Sequence, residues 1–262
     1  MSNEHKKYLK KILKNKILVV LTQLLILTFF IFIWQLLADL KVINTFISSS
    51  PKNILSTIIT LHKSGHLYIH IWVTVYETLI SFISGTIIGL IIATVLWRFN
   101  FLAKVIEPYL TVLNSLPKIA LGPIIIIWVG ANIKSIILMA LLISVIITII
   151  NIYQGFVETD YLKIKLMKTF KATQSQIYFK LLLPSNFPTI ISTLKINISM
   201  SLIGVIMGEF LVSKEGIGYL IMYGSQVFNL NLVITGVIIL CFVAAIMYYI
   251  VFYFEKKLIK FD

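Results

Sequence analysis

Two carboxylates stand alone inside long apolar runs of this chain, Glu77 within residues 70–97 and Glu209 within residues 189–212. A carboxylate at membrane depth is costly, so it faces protein, a water-filled cavity or the interface. Glu77 lies about two turns from the end of its run, which leaves interfacial water and a polar pathway both open to it. Glu209 lies near the corresponding end of its own run. Acid/base chemistry needs convergent partners at one depth, and no His or Cys joins the two acids within the runs. His62, His66 and His70 recur every four residues, which one helix would align for a metal. However, Ser64-Gly65 interrupts that helix, and no acidic or Cys partner is near. Pro117-Lys118-Ile-Ala120-Leu-Gly-Pro123 puts two prolines six residues apart in a third apolar run. They should break or kink a helix, and freed carbonyls are tolerated at that depth only where protein or a cavity satisfies them. This segment is the leading candidate for lining a polar pathway, against a kink that serves packing alone. Lys118 either snorkels or exposes its charge to the cavity.

The chemistry that is missing narrows the field. No Gly-x-x-x-x-Gly-Lys-Ser/Thr occurs, so the chain carries no P-loop for ATP phosphates. There is no HExxH, no Cys pair and no nucleophile elbow. Gly216-Ile-Gly218 has neither a strand nor a further glycine pattern to make it phosphate-binding. No catalytic, cofactor-binding or metal-ligating set is therefore expected in this chain.

The elements that would position these residues are membrane helices. With 262 residues and 59% of them hydrophobic, the chain is far more apolar than a soluble domain. Its net charge of +13 is not read as nucleic-acid binding, because the lysines sit at the ends of apolar runs, facing a lipid bilayer's surfaces. The expected architecture is an all-α polytopic bundle of six transmembrane helices with both termini cytoplasmic. A basic tail, 1–16, leads into a first span, 17–38. That span is 22 residues without a charge and about 33 Å long as a helix, so it reads as an uncleaved span rather than a secretory signal. An extracytoplasmic connection, 39–69, contains a helical candidate over 52–62. The remaining spans fall near 70–97, 109–129, 135–156, 189–212 and 230–254, with 98–107 as a short inside loop and 255–262 as a cytoplasmic tail. This orientation leaves sixteen of the 23 lysines and arginines inside and five outside, with Lys118 and Lys195 within spans. Gly85 and Gly89 form a small-xxx-small pair suited to close helix packing. Cys241, the single cysteine, forms no intrachain disulfide.

The fourth and fifth spans are joined by the chain's one long polar stretch, a hook over 160–184 that runs on to Pro188. Leu162, Leu166, Met167 and Phe170 recur at helical spacing, as do Ile177, Tyr178, Leu181 and Leu182 after a break. Lys163, Lys165, Lys168, Lys171 and Lys180 mark the polar side. Thr173 with Gln176 fits a capping box, and Pro184 stops regular helix. Two short amphipathic helices are expected, to lie on anionic lipid or to dock on a partner.

The hook resembles the cytoplasmic coupling loop of permease subunits of ATP-binding-cassette (ABC) importers, the binding-protein-dependent inner membrane component family. Leu183-Pro184 matches the end of that family's signature. Ala172, Gln176, Ile177, Tyr178 and Pro188 fit its sulfonate/nitrate/taurine-type branch. Lys165-Leu166-Met167 stands where Glu-Ala-Ala is usual, and Lys171 where Gly is usual. The likeness extends to His70, Thr74, Leu79, Phe82, Gly85 and Gly89, with Glu77 in place of an Arg and Ser81 in place of a Gly. It includes Pro117, Ala120 and Pro123 followed by Trp128-Val-Gly130, and Glu209 followed by Gly216-x-Gly218-Tyr.

The resemblance covers about residues 66–255. It implies a homodimer, two separate ABC ATPase subunits that hold ATP, and an extracytoplasmic solute-binding protein. Leu166, Met167, Phe170, Lys171, Ala172, Gln176, Ile177, Leu183 and Pro184 would then form the ATPase-coupling surface. Glu77, Pro117, Lys118, Ala120, Pro123 and Glu209 would be pathway candidates. The solute would be of the sulfonate, taurine, nitrate, bicarbonate or thiamine-precursor type, and Glu77 in place of Arg points away from a strongly anionic one. The rival functions are a self-sufficient secondary carrier and a membrane-embedded enzyme.

Overall fold

A computed structural model describes residues 3–258, so Lys260 of the expected C-terminal tail lies outside the described residues. Every element in it is helical. In chain order these are α1 (Asn3–Asp39), α2 (Thr45–Ser48), α3 (Pro51–Lys63), α4 (His66–Arg98), α5 (Asn100–Ser115) and a 3₁₀ turn (Lys118–Leu121). There follow α6 (Gly122–Val129), α7 (Ile133–Val157), α8 (Tyr161–Thr169), α9 (Gln174–Ile177), a π turn (Tyr178–Leu182), α10 (Leu183–Ser185), α11 (Phe187–Val212), α12 (Ile217–Gln226) and α13 (Leu230–Leu258). Five helices, α1, α4, α7, α11 and α13, are long and apolar enough to cross a membrane, and the bent pair Asn100–Ser115 and Lys118–Val129 brings the number to six. The chain is a multi-pass membrane protein.

The centre is a three-helix seam of α4, α7 and α11, with α7 the most enclosed. Small residues bring these helices together. A Cβ on Gly204 of α11 would overlap the Ala140 Cα of α7, and one on Gly208 would come within 2.9 Å of the Ile136 Cα. On α4, Gly85 rests on Ser144 and Gly89 on Thr148 of α7. Helices gain no hydrophobic drive from associating within lipid, so they depend on such close backbone approach and on shared hydrogen bonds. One such bond runs from Asn197 Nδ2 of α11 to Thr86 Oγ1 of α4 at 2.6 Å. A second apolar layer, built on Ile198, Leu202 and Ile206 of α11 with Ile239, Val243 and Met247 of α13, closes one side. Lys195 of α11 pairs with Glu255 of α13 at 2.8 Å and lies over the Phe252 ring. Thus it finds an ionic partner within the protein.

One boundary differs from the one the sequence suggests. Residues 98–107 are not a loop: α4 runs to Arg98 and α5 begins at Asn100, with Phe99 alone between them. The third span is broken at its prolines, as their spacing predicts, into two helices bent by 90°. Leu116 before Pro117 is extended, with φ −64° and ψ 138°, as the proline ring requires of its predecessor. Pro123 then sits in the first turn of α6, where its missing N–H costs nothing. One proline ends a helix and the other starts the next.

In the connection, α3 spans the expected helical segment, capped by Ser50, whose Oγ accepts the Asn53 N–H at 3.2 Å. It ends before Gly65, at φ +75°. That break puts His62 on a different helix from His66 and His70, and His62 Nδ1 pairs with the Tyr68 hydroxyl at 3.0 Å instead.

Candidate functional sites at the two ends of the bundle

At one end α7 and α11 are joined by the hook. Asp160 caps α8 through the Leu162 N–H at 2.8 Å. Thr173 and Gln176 form the expected capping box, with the Thr173 N–H donating to Gln176 Oε1 at 2.8 Å. Between the helices Lys171 adopts φ +55°, a left-handed conformation that costs a side-chain-bearing residue roughly 1–2 kcal/mol. Pro184 supplies no N–H, and its ring crowds the carbonyl four residues back. The helix accommodates this by widening to the π turn, where the Leu183 N–H reaches the Tyr178 carbonyl.

The second half of the hook is anchored. Ile177 and Leu182 are fully buried, and Leu182 packs on Ala93, Ile152 and Phe156. Burying each side chain is worth about 2 kcal/mol. Tyr178 pairs with Thr94 Oγ1 at 2.9 Å. Asn186, which sequence reasoning missed, donates from Nδ2 to Thr159 Oγ1 at 2.7 Å and to the Leu182 carbonyl at 3.0 Å, closing the hook at its base. The first half is uncovered: Leu162, Leu166 and Phe170 are exposed, Phe170 by 76%. Lys171, Gln176 and Pro184 are also exposed, and Met167, Ala172 and Leu183 are half-buried. The coupling candidates thus divide into an anchoring group, Ile177 with Leu183, and a displayed group centred on Leu166 and Phe170.

At the opposite end, α4 and α11 meet Gly216 and the first turn of α12. Thr74 Oγ1 donates to Glu209 Oε1 at 2.6 Å, and the Gly218 N–H donates to Glu209 Oε2. The Ile217 N–H donates to Thr74 Oγ1 at 2.8 Å, and the Gly216 N–H to His70 Nδ1 at 3.0 Å. Because a backbone N–H can only donate, Nδ1 accepts, and this ring nitrogen carries no proton. A Cβ at Gly216, where φ is +108°, would overlap the Glu209 carboxylate, and one at Gly218 would fall 2.7 Å from Oε2. The glycines let the loop wrap around the acid. His70 therefore joins the acids through this loop, a contact its place in the sequence gave no sign of.

Glu77 is also buried, at 2% exposure, rather than reaching interfacial water. Its carboxyl lies against that of Glu209, within reach of a carboxyl–carboxyl hydrogen bond, and no other group pairs with its Oε2. It lines a cavity of about 390 Å³ between the N-terminal part of α7 and the 212–215 loop. The remaining pathway candidates lie on the elbow between α5 and α6. Pro117, Ala120 and Pro123 are exposed and Lys118 is half-buried, its Nζ donating to the Asn114 carbonyl at 2.9 Å. The elbow does not touch the Glu77–Glu209 cluster through any hydrogen bond among the described residues.

Known proteins are similar to this chain. A probable ABC transporter permease protein of Haemophilus influenzae is 29% identical over 87% of this chain and 93% of its own length. The "putative aliphatic sulfonates transport permease protein SsuC" of Bacillus subtilis is 27% identical over 87% of this chain and 83% of its own. The formylaminopyrimidine transport permease protein ThiX of Halalkalibacterium halodurans is 27% identical over 71% and 74% respectively. Among solved structures, a chain of the inward-facing MetNI methionine ABC transporter superposes with a TM-score of 0.62 at 18% identity, covering 73% of this chain and 93% of its own, which establishes the shared fold. Residues 85–260 match the model of one family, and the chain belongs to it: the binding-protein-dependent transport system inner membrane components.

Proposed function

We propose that this permease subunit works as one half of a homodimeric ABC importer, driven by two separate ATPase subunits that hold the ATP and fed by an extracytoplasmic solute-binding protein. The hook and both termini are cytoplasmic, in keeping with the lysine asymmetry. The solute is small, of the sulfonate, taurine or thiamine-precursor type; the names of relatives carry aliphatic sulfonates, formylaminopyrimidine and taurine.

The observation that carries this reading is the division within the hook. One helix is locked to α4 and α7 by Leu182 and Tyr178, while the other displays Leu162, Leu166 and Phe170 to the exterior. An amphipathic helix held this way fits an apolar groove on a partner, and its rigid base passes a push on α8 into α7 and α11. In the homodimer that the resemblance implies, the elbow would border the second copy at Pro117, Ala120 and Pro123.

The test is the double substitution Leu166→Asp/Phe170→Asp in a chain co-expressed with an ABC ATPase. Both changes fall on exposed positions, so insertion into the membrane is retained. Co-purification of the ATPase and ATP-dependent uptake into proteoliposomes are expected to be lost together. Retention of both would overturn the coupling role, and uptake driven by an ion gradient without ATPase would favour a secondary carrier.

A further inference from the structure

Four charged side chains lie inside the spans: Glu77, Lys118, Lys195 and Glu209. A charge at that depth needs a partner or a water-filled path. Three of the four are answered within the chain. Glu77 and Glu209 lie against each other, and that pairing withdraws Glu77 from any bearing on the charge of a solute. Lys195 pairs with Glu255 at 2.8 Å. Lys118 is in no ion pair among the described residues. Its Nζ donates to the Asn114 carbonyl at 2.9 Å, which occupies one of three donors. The carbonyls at a helix C-terminus together carry about half an elementary charge, less than the ammonium brings. Glu107, the nearest acid along α5, lies two turns before Asn114, roughly 10 Å down the axis.

The direction in which Lys118 points argues against snorkelling. The hook's Leu182 packs on Ala93 of α4, so α5, which follows α4 directly, starts at the hook end. Gly122, just past Lys118, abuts Leu211 in the last turn of α11, on the side of Glu209. Lys118 is therefore nearer the Glu209 end, yet its ammonium reaches one turn back toward the hook. A lysine seeking the nearer interface would point the other way. Thr111 and Asn114, both exposed, continue a polar stripe down α5, and such a stripe on a span borders protein or water rather than lipid.

We infer that Lys118 is a specificity-determining residue of the transport route, its ammonium taking the anionic head group of the solute, a sulfonate or another oxyanion. The inference rests on the importer reading and favours solutes with an anionic head, zwitterions included, over neutral or cationic ones. The extended Leu116 and the 90° bend hold Lys118 at the corner between α5 and α6, so its charge is fixed at one depth of the bundle.

The test uses the chain purified in detergent with its co-expressed ATPase, and three probes at matched ionic strength: ethanesulfonate, taurine and ethylammonium. Ethanesulfonate and taurine are expected to raise the thermal midpoint, and ethylammonium is not. In Lys118→Met, which keeps an unbranched stem, the concentration giving half the shift is expected to rise about tenfold or more, the loss of a charge-assisted hydrogen bond. Lys118→Arg, which keeps the charge should the methionine variant fail to fold, is expected to retain the preference for the two sulfonates. A lysine that only caps α5 would lower the ligand-free midpoint of Lys118→Met and leave the response to the probes undiminished, which would overturn the inference. Equal stabilisation by ethylammonium, a lost sulfonate preference in Lys118→Arg, or no response to either sulfonate in the wild type would overturn it as well. ATPase co-purification is scored on the same preparation. An ATPase-bound chain blind to sulfonates sinks the role of Lys118 alone, whereas a sulfonate-responsive chain that binds no ATPase sinks the importer reading.

Discussion

Thr74 and Glu209 lie 135 residues apart in the chain, yet the hydroxyl of one donates to the carboxylate of the other at 2.6 Å in a buried site. The same hydroxyl accepts the Ile217 N–H, so one side chain ties α4 to both α11 and the first turn of α12. Thr74→Val keeps the volume but removes both bonds and leaves a buried N–H and a carboxylate oxygen short of partners. A loss of about 1–3 kcal/mol is expected, read as a lowered thermal midpoint in detergent by circular dichroism. Thr74→Ser, which keeps the hydroxyl, is expected to recover most of it.

Lys171 holds a backbone angle that glycine adopts freely. Lys171→Gly is expected to stabilise the turn by up to about 1 kcal/mol, the relief of left-handed strain less the entropy glycine loses on folding. Slower amide exchange at residues 170–173, with no change in the spans, is the measurement. Lys171→Val, β-branched at a positive φ, is expected to act in the opposite direction.

Gly204 touches the backbone of α7 at Ala140. Gly204→Ala forces the two helices apart and is expected to cost about 1–3 kcal/mol. Adding Ala140→Gly removes the Ala140 Cβ but leaves its Cα in the way, so the double variant is expected to recover little of the loss. A thermal midpoint restored to that of the unsubstituted chain in the double variant would show that the clash is with the side chain instead.

Lys195 and Glu255 join α11 to α13 near the hook end, with side chains only 22% and 14% exposed. Lys195→Met strands a mostly buried carboxylate, and a loss of about 1–3 kcal/mol is expected. Lys195→Met/Glu255→Gln removes both charges and is expected to recover part of that loss, since breaking a buried pair costs more than lacking one. A double-mutant cycle on thermal midpoints at low and high salt measures the coupling, and its buried part is expected to survive the salt.

How much of this was legible in the sequence follows from how local each cause is. Long uncharged runs fix the spans, and the Thr173–Gln176 cap lies within four residues, so both could be read directly. The prolines at 117 and 123 announced a break, but its 90° angle depends on what α6 packs against. The solitary look of Glu209 was misleading because its partners, Thr74 and the 216–218 loop, reach it from separate segments of the chain. Gly204 and Gly208 carry the same spacing as Gly85 and Gly89, a signal that could have marked the α7 contact.

The glycine contacts that join α4, α7 and α11 also restrict how the bundle can move. With backbone against backbone at Gly204 and Ala140, no flexible side chain lies between the helices to act as a bearing. Slipping α11 along α7 by a single residue would drive a methyl group into main chain. A force delivered at one end must therefore rock the trio as a solid lever, and the give has to come from its borders, where the α5–α6 corner and α13 meet it.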